Sequence, residues 1–287
     1  MTKSKGAFLI AKNNKHVDYL KQAVFLAKRI KKYLGIPTSI ATDAMGYLES
    51  SFESDIFDKV IPLDLDPEKN MRFFFDGSMS KRQAGFNNAG RAFAYDMSPY
   101  DETLLLDTDY IISNNLLKNC FDSNSDFLIY KDSYDVAKVR DETEFKYISE
   151  TGVDFYWATC VFFRKTDANK RFFDLVKHIE KEWNHYRRVY QIRSSLFRND
   201  FAFSIAIHIM NGFQRGDFAQ PMPGKMYYTT DRDILWKLEN DDEMFFLVEK
   251  KNYLGEYTAL RTKGQTIHVM NKFSLMRIID EEFASGR

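Results

Sequence analysis

Apolar and polar positions fall into two distinct periods along this chain, and the period predicts the element. Residues 6–11, GAFLIA, are continuously apolar, as a strand buried on both faces requires. Val17, Leu20, Val24, Ala27 and Leu34 then recur at helical spacing, with Lys28, Arg29, Lys31 and Lys32 between them as a solvated face. Gly35 stands where a helix C-cap is expected, and Pro37 follows it. TSIAT, residues 38–42, reads as a second strand ending at Asp43, and Lys59 to Leu63 as a short third one. Strand, helix, strand, strand in this order begins an α/β nucleotide-binding layer.

Residues 64–100 are less regular. They hold the aromatic run Phe73 to Phe75 and a helix expected from about Phe86 to Asp96, closed by Pro99. Thr103 to Leu106 is an apolar strand that runs into Asp107-Thr108-Asp109 and on into Tyr110-Ile111-Ile112. A short helix (Leu116 to Cys120) and strands at Asp126 to Tyr130 and Ala158 to Arg164 follow. The pattern predicts a helix from Ala168 to about Tyr186, with Phe172, Val176, Ile179, Trp183 and Tyr186 on one face and Lys170, Lys177 and Lys181 on the other. Another helix is expected over about Asp200 to Met210, then short strands, then an amphipathic stretch from Ser274 to Phe283. With no repeat, linker or low-complexity tract, the expectation is one α/β domain over residues 1–287. Residues 1–112 would form its nucleotide-binding part and 113–287 its acceptor side and C-terminal elaboration.

Composition narrows the function. Lys plus Arg and Asp plus Glu both total 41, so the formal net charge is zero. A chain whose main work is gripping nucleic acid carries a basic excess, which is absent here. The 16% aromatic share points to a large filled core and a stacking-rich cleft. Two cysteines, Cys120 and Cys160, cannot form a disulfide framework and fit a reducing compartment. The apolar run at Ala7 to Ala11 is too short for a signal-peptide core or a membrane span. A soluble cytoplasmic protein is expected.

The chemistry concentrates at one place. Carboxylates inside a buried strand are costly unless paired or metal-bound. In an extended chain, Asp107 and Asp109 project to the same side, roughly 6–7 Å apart along the backbone. Two such carboxylates at the end of a strand make a hard-oxygen site for Mg²⁺ or Mn²⁺. Open α/β sheets bind ligands just beyond the carboxyl ends of their strands. A metal there neutralises the charge that grows on a departing diphosphate. G-x-S-x-G, H-E-x-x-H, P-loop and C-x-x-C patterns are all missing from the sequence. The basic segment with Arg187, Arg188 and Arg193 to Arg198, interleaved with Tyr186 and Tyr190, reads as a solvated helix-loop surface, with contact to an anionic acceptor as the alternative.

The stretch SPYDETLLLDTDYII resembles the segment before and through the D-x-D turn of GT-A glycosyltransferases. It is most similar to glycosyltransferase family 8, the glycogenin and galactosyltransferase-like group. The resemblance covers most of residues 6–272 in the order of elements, with close motif similarity in short stretches. It implies a mixed central sheet flanked by helices. It implies a donor nucleotide against Ala11-Lys12 at the end of the first strand, with Tyr19 stacking on the base and Asp43 contacting it. Arg91, sixteen residues before Asp107, matches the family's basic residue for the donor sugar or phosphate. Asn199-Asp200 matches the acid that opens a helix beside the reacting carbon. QTIHVMNK, residues 265–272, resembles the segment carrying a third metal ligand, here His268, and a lysine for the diphosphate, here Lys272.

The implied activity is metal-dependent transfer of a hexosyl or pentosyl group from a nucleotide sugar, with a UDP-sugar as expected donor, Mn²⁺ or Mg²⁺ as cofactor and retention at the anomeric carbon. The acceptor stays open among a glycan, a protein, a small molecule and a modified nucleic-acid base. The chain also departs from the family. The spacing from His268 to Lys272 is shorter and lacks a glycine, Ala158-Thr159-Cys160 replaces a common Asn-x-Gly, and Phe201 stands where glutamine is usual. The last two bear on donor sugar and acceptor. Two rival readings remain. A sugar-phosphate nucleotidyltransferase would need a Gly-rich loop where Ala11-Lys12-Asn13-Asn14 stands. A non-catalytic binding protein on a degenerate GT-A frame would have acids that fail to hold metal.

Overall fold

The computed structural model describes residues 3–52, 55–64, 71–76, 80–85, 90–140, 145–250 and 253–284. β1 (Lys5–Ala11) is buried over nearly all its length, as its unbroken apolar run demands. α1 (Tyr19–Tyr33) follows. The Asp18 carboxylate starts it by accepting the Lys21 N–H at 2.9 Å. Gly35, in the left-handed region at φ +64°, ends it, and the N–H groups of Leu34 and Gly35 both reach the Ile30 carbonyl. β2 (Thr38–Thr42), α2 (Met45–Ser51) and β3 (Val60–Pro62) complete the expected opening. Gly6 answers a packing need: a Cβ there would lie 2.4 Å from Tyr100 Cζ and 2.8 Å from the Pro37 carbonyl oxygen.

A two-stranded ribbon comes next, β4 (Met71–Asp76) paired with β5 (Ser80–Gly85). The helix expected over Phe86 to Asp96 is far shorter in its described part. It is a 3₁₀ turn at Arg91–Phe93 continuing into α3 (Ala94–Met97). Gly90, at φ +98°, lies outside helical backbone and blocks any helix through it. Residues 86–89 lie outside the described set.

The chain then forms β6 (Glu102–Leu106), β7 (Tyr110–Ile111), a 3₁₀ helix at Leu116–Asp122, β8 (Phe127–Tyr130), β9 (Ser133–Asp135) and β10 (Trp157–Arg164). The helix expected over 168–186 is two helices, α4 (Asp167–Lys181) and α5 (Trp183–Val189). Glu182 leaves helical geometry between them, and buried Trp183 donates its Nε1–H to the Ser195 carbonyl at 3.0 Å. The rest comprises α6 (Asn199–Met210), β11 (Gln220–Pro221), β12 (Met226–Thr229), β13 (Leu235–Glu239), β14 (Glu243–Lys250), β15 (Tyr253–Lys263), β16 (Ile267–Val269) and α7 (Lys272–Ala284).

The main sheet has seven strands in the order β11-β8-β10-β6-β1-β2-β3. β10 alone runs against its neighbours, so the sheet is mixed but mostly parallel. α1 packs against β1 and β2, and α6 against β10. This is the mixed central sheet flanked by helices that the resemblance implies. Phe163, Phe172, Phe173 and Phe203 pack edge to face between β10, α4 and α6. A second sheet, β7-β16-β12-β9, is the one that matters for the site. The antiparallel sheet β13-β14-β15 is not hydrogen-bonded to either, but Leu235, Met244 and Phe246 share a core cluster with Ile111, Ile267 and Val269 of the second sheet. Among the described residues no helix is long and apolar enough to cross a membrane. Cys120 and Cys160 are buried and unlinked.

Candidate active site

The two acids sit where the chain changes sheets. Asp107 still donates its N–H to the Thr159 carbonyl of β10, at 2.8 Å. The backbone then turns through Thr108 and Asp109 and re-enters extended structure as β7, paired not with the main sheet but with β16. Strand alternation was the expected reason for both carboxylates sharing a side. A turn brings them together instead, because Tyr110 and Ile111 belong to another sheet. The turn is pinned on both flanks. The Val269 N–H donates to the Asp109 carbonyl at 2.8 Å, and the Thr108 hydroxyl donates to Gln22 Oε1 of α1 at 3.2 Å, both buried.

His268, the middle residue of β16, is thereby delivered to the acids. Its Nε2 lies 2.9 Å from Asp109 Oδ2 and 4.0 Å from Asp107 Oδ2. One ligand atom from each of Asp107, Asp109 and His268 lies within 4.8 Å of the others. Lys272, the first residue of α7, reaches Asp109 Oδ2 with its ammonium. Arg91 is buried and donates to Asp107 Oδ1 and to the Thr159 carbonyl.

Electrostatics separate the acids. Burial pushes the Asp109 carboxyl up, but His268 and Lys272 together hold it well below the ordinary carboxylate range. Burial also pushes the Asp107 carboxyl up, and here it outweighs the pull of Arg91. The Asp107 side chain is 38% exposed, so cleft water makes that push smaller than full burial would. Tyr19 is buried next to them. Burial first, then the charges of Asp109 and Asp107, drive its phenol far above the usual range.

These residues line a cleft of about 270 Å³. Of the residues singled out from sequence, Lys12, Tyr19, Arg91, Asp107, Asp109, Asn199, Asp200, His268 and Lys272 are on its wall. Ala11 and Asp43 are not. Ala11 is buried and paired with Thr42, and exposed Asp43 accepts the Asn13 N–H at 3.0 Å. Asp200 is not the N-cap of α6, which is Arg198. Its carboxylate bridges instead, accepting the Ala158 N–H at 2.9 Å and the Arg198 guanidinium at 2.6 Å.

The cleft also holds residues that sequence reasoning passed over. Arg72 of β4 lines it, clamped by Asp231 through Nε at 3.0 Å and a terminal nitrogen at 2.8 Å. The only signal was a cation opening the aromatic run of β4. Trp157 lines it from β10, beside Thr159 of the Ala158-Thr159-Cys160 segment already noted in the sequence. Arg198 belongs to the segment that reads first as wet surface, with contact to an anionic acceptor as the alternative. It lines the cleft with its guanidinium over the Phe201 ring at 5.3 Å, and also near Phe145 and Phe155. Arg193 does match that expectation, being highly exposed and paired with Glu150.

The donor set fits a divalent cation. Two carboxylates and one imidazole suit Mn²⁺, and the oxygens suit Mg²⁺. Asp109 Oδ1 is buried and has no hydrogen-bond partner among the described residues. A buried carboxylate oxygen without a donor is costly unless a cation compensates it.

No family model matches the chain, and no curated protein matches it by sequence. Solved structures do. The glycosyltransferase GlyE of Streptococcus pneumoniae TIGR4 is 13% identical over 77% of this chain and 45% of its own, with a TM-score of 0.42. The galactosyltransferase LgtC, solved with donor and acceptor sugar analogs, is 13% identical over 70% of each chain, with a TM-score of 0.44. The chain thus spans less than half the length of GlyE.

Proposed function

We propose that this protein is a metal-dependent glycosyltransferase of the GT-A type, a single domain over residues 1–287 that moves a hexosyl or pentosyl group from a nucleotide sugar to an acceptor with retention. The observation that carries the reading is the meeting of Asp107, Asp109 and His268 beyond the carboxyl end of β6, in a cleft also walled by the cationic side chains of Lys12, Arg72, Arg91, Arg198 and Lys272. A diphosphate needs such a surround, and strand ends in open α/β sheets are where such ligands bind. The expected donor is a UDP-sugar.

Asp107, Asp109 and His268 would hold Mn²⁺ or Mg²⁺, which when bound neutralises charge on the leaving diphosphate. Arg91 is fixed by the Thr159 carbonyl, so its guanidinium is set before any ligand arrives and costs little to reorganise. Arg72 is fixed likewise by Asp231. On the same cleft wall, Asp200 and Arg198 hold each other beside Trp157 and would face the transferred sugar or the acceptor. The acceptor is a glycan, a protein, a small molecule or a modified nucleic-acid base. The buried free thiols support a reducing, cytoplasmic setting.

The test is thermal stability with a panel of nucleoside diphosphates and nucleotide sugars, with and without Mn²⁺, on wild type and Asp109→Ala. A ligand that binds only the folded state raises the melting temperature by mass action. One nucleotide sugar should stabilise strongly only when metal is also present, and the variant should lose the effect. If nothing shifts either protein, the acids are not a donor site and a degenerate binding frame is the better account. Stabilisation by a nucleoside triphosphate with a sugar phosphate would favour a nucleotidyltransferase.

A further inference from the structure

The Asp109 carboxylate is asymmetric. Oδ1 is buried without a partner among the described residues, while Oδ2 accepts both His268 Nε2 and the Lys272 ammonium. Oδ2 is also the oxygen turned toward the imidazole nitrogen that completes the metal-ligating trio. The other acid is arranged differently. Arg91 takes Asp107 through Oδ1, whereas Oδ2 is the oxygen 4.0 Å from His268. A cation entering between the trio therefore finds Asp107 Oδ2 open, whereas the Asp109 oxygen that faces His268, Oδ2, is already taken by a lysine and only the buried Oδ1 is unpartnered among the described residues.

We propose that Lys272 is a tethered counter-ion that competes with the divalent metal for Asp109, and that its release couples metal binding to diphosphate binding. The proposal rests on the metal-site reading above. Two positive charges cannot share one carboxylate oxygen in a cleft of low dielectric without strong repulsion. The tether permits release. Asn271 caps α7, its Oδ1 accepting the N–H groups of Phe273 at 3.1 Å and Ser274 at 2.9 Å, while its Nδ2 donates to the Asp231 carbonyl at 2.6 Å. The backbone at Lys272 is thus fixed, and the flexible four-carbon arm alone can carry the ammonium away. Arg91 cannot serve the same purpose, because its side chain is only 6% exposed and bonded to the Thr159 carbonyl as well. An ammonium displaced from Asp109 into the cleft needs an anion, and the diphosphate of a nucleotide supplies one. Without nucleotide, the metal must displace Lys272 into uncompensated space; with nucleotide, both cations gain.

The test is Mn²⁺ titration, read by the electron paramagnetic resonance of the free ion, on wild type, Lys272→Met, Lys272→Ala and Asp109→Ala, each with and without UDP. Melting curves confirm that each variant is folded. Both lysine variants should bind Mn²⁺ about tenfold or more tightly than wild type in the absence of UDP. Addition of UDP should tighten Mn²⁺ strongly in wild type and much less in either variant. Lysine variants that bind Mn²⁺ no better than wild type, while Asp109→Ala abolishes binding, would overturn the competition and leave the metal site standing. Equal Mn²⁺ binding by wild type and Asp109→Ala would overturn the metal site itself and the competition with it.

Discussion

The His268 ring lies flat on the Tyr110 ring, with centroids 4.7 Å apart and planes 15° apart. Tyr110 is in turn anchored by a 2.8 Å hydrogen bond between its hydroxyl and Thr159 Oγ1. Tyr110 lies in β7 and His268 directly opposite in β16, so cross-strand register sets the plane of the imidazole. Tyr110→Leu should remove that plane and weaken Mn²⁺ binding by about 10-fold or more, the usual cost of losing a group that orients a ligand. Tyr110→Phe should keep the stack and the metal affinity and lose about 1 kcal/mol of stability with its hydrogen bond. Metal titration and urea unfolding read the two effects. Wild-type metal affinity in Tyr110→Leu would remove the stack from the account of the site.

Asp200 makes a different kind of prediction, because both of its oxygens are engaged. Asp200→Asn retains an acceptor for the Ala158 N–H and loses only the ionic partner of Arg198. Asp200→Ala strands both donors in a largely buried place, at a further cost of about 1–3 kcal/mol. Urea unfolding should rank wild type above Asp200→Asn above Asp200→Ala, with transfer activity lost in both variants. Equal stability of the two variants would show that the Ala158 bond contributes nothing.

Gly6→Ala tests the close approach of β1 to Tyr100. The added Cβ would overlap the ring and meet the Pro37 oxygen, so a loss of about 1–3 kcal/mol is expected. In a Tyr100→Ala background the same change should cost less, since only the Pro37 oxygen remains. Strict additivity in the double-mutant cycle would rule out the ring as the source of the penalty.

Acid sensitivity should arise partly at the base of the β14–β15 hairpin. Hydrogen bonds from Lys263 and then Arg261 hold the Glu243 carboxyl below its ordinary value. A carboxyl lower in the folded than in the unfolded chain stabilises the fold above its unfolded value, and that stability is lost as falling pH protonates it. Stability should therefore fall as pH drops through and below the usual glutamate range, and Glu243→Gln should flatten this part of the profile. An unchanged acid limb in Glu243→Gln would place the sensitivity elsewhere.

Much of the first half was legible from periodicity. β1, α1, β2 and β3 announce themselves because they are local patterns, either unbroken apolar runs or one apolar helical stripe. The elements that went astray are those decided by a single residue in context. Gly90 stops a helix whose apolar pattern continues through it, and Glu182 divides one whose stripe runs unbroken from Phe172 to Tyr186. The acids were recognisable because Asp107 and Asp109 interrupt an apolar strand. What brings them together was not, since only the pairing of β7 with β16 shows that the strand has ended and another sheet begun. Arg72 was missed, and Arg198 was ranked first as wet surface, for a related reason. A cation in an aromatic run and a cation in a basic loop look the same whether they face water or a cleft, and the tertiary fold alone separates them.

Asp109 and His268 are 159 positions apart, and the second sheet that joins them is made last along the chain. During synthesis both aspartates emerge early and stay an incomplete pair until β16 and α7 follow. Closing so long a loop carries an entropic cost that is met before the contact between Asp109 and His268 repays it. The three-residue set therefore exists only once β16 has paired with β7, and if it holds a divalent cation as proposed, uptake of that ion would serve as a clock for the last stage of folding.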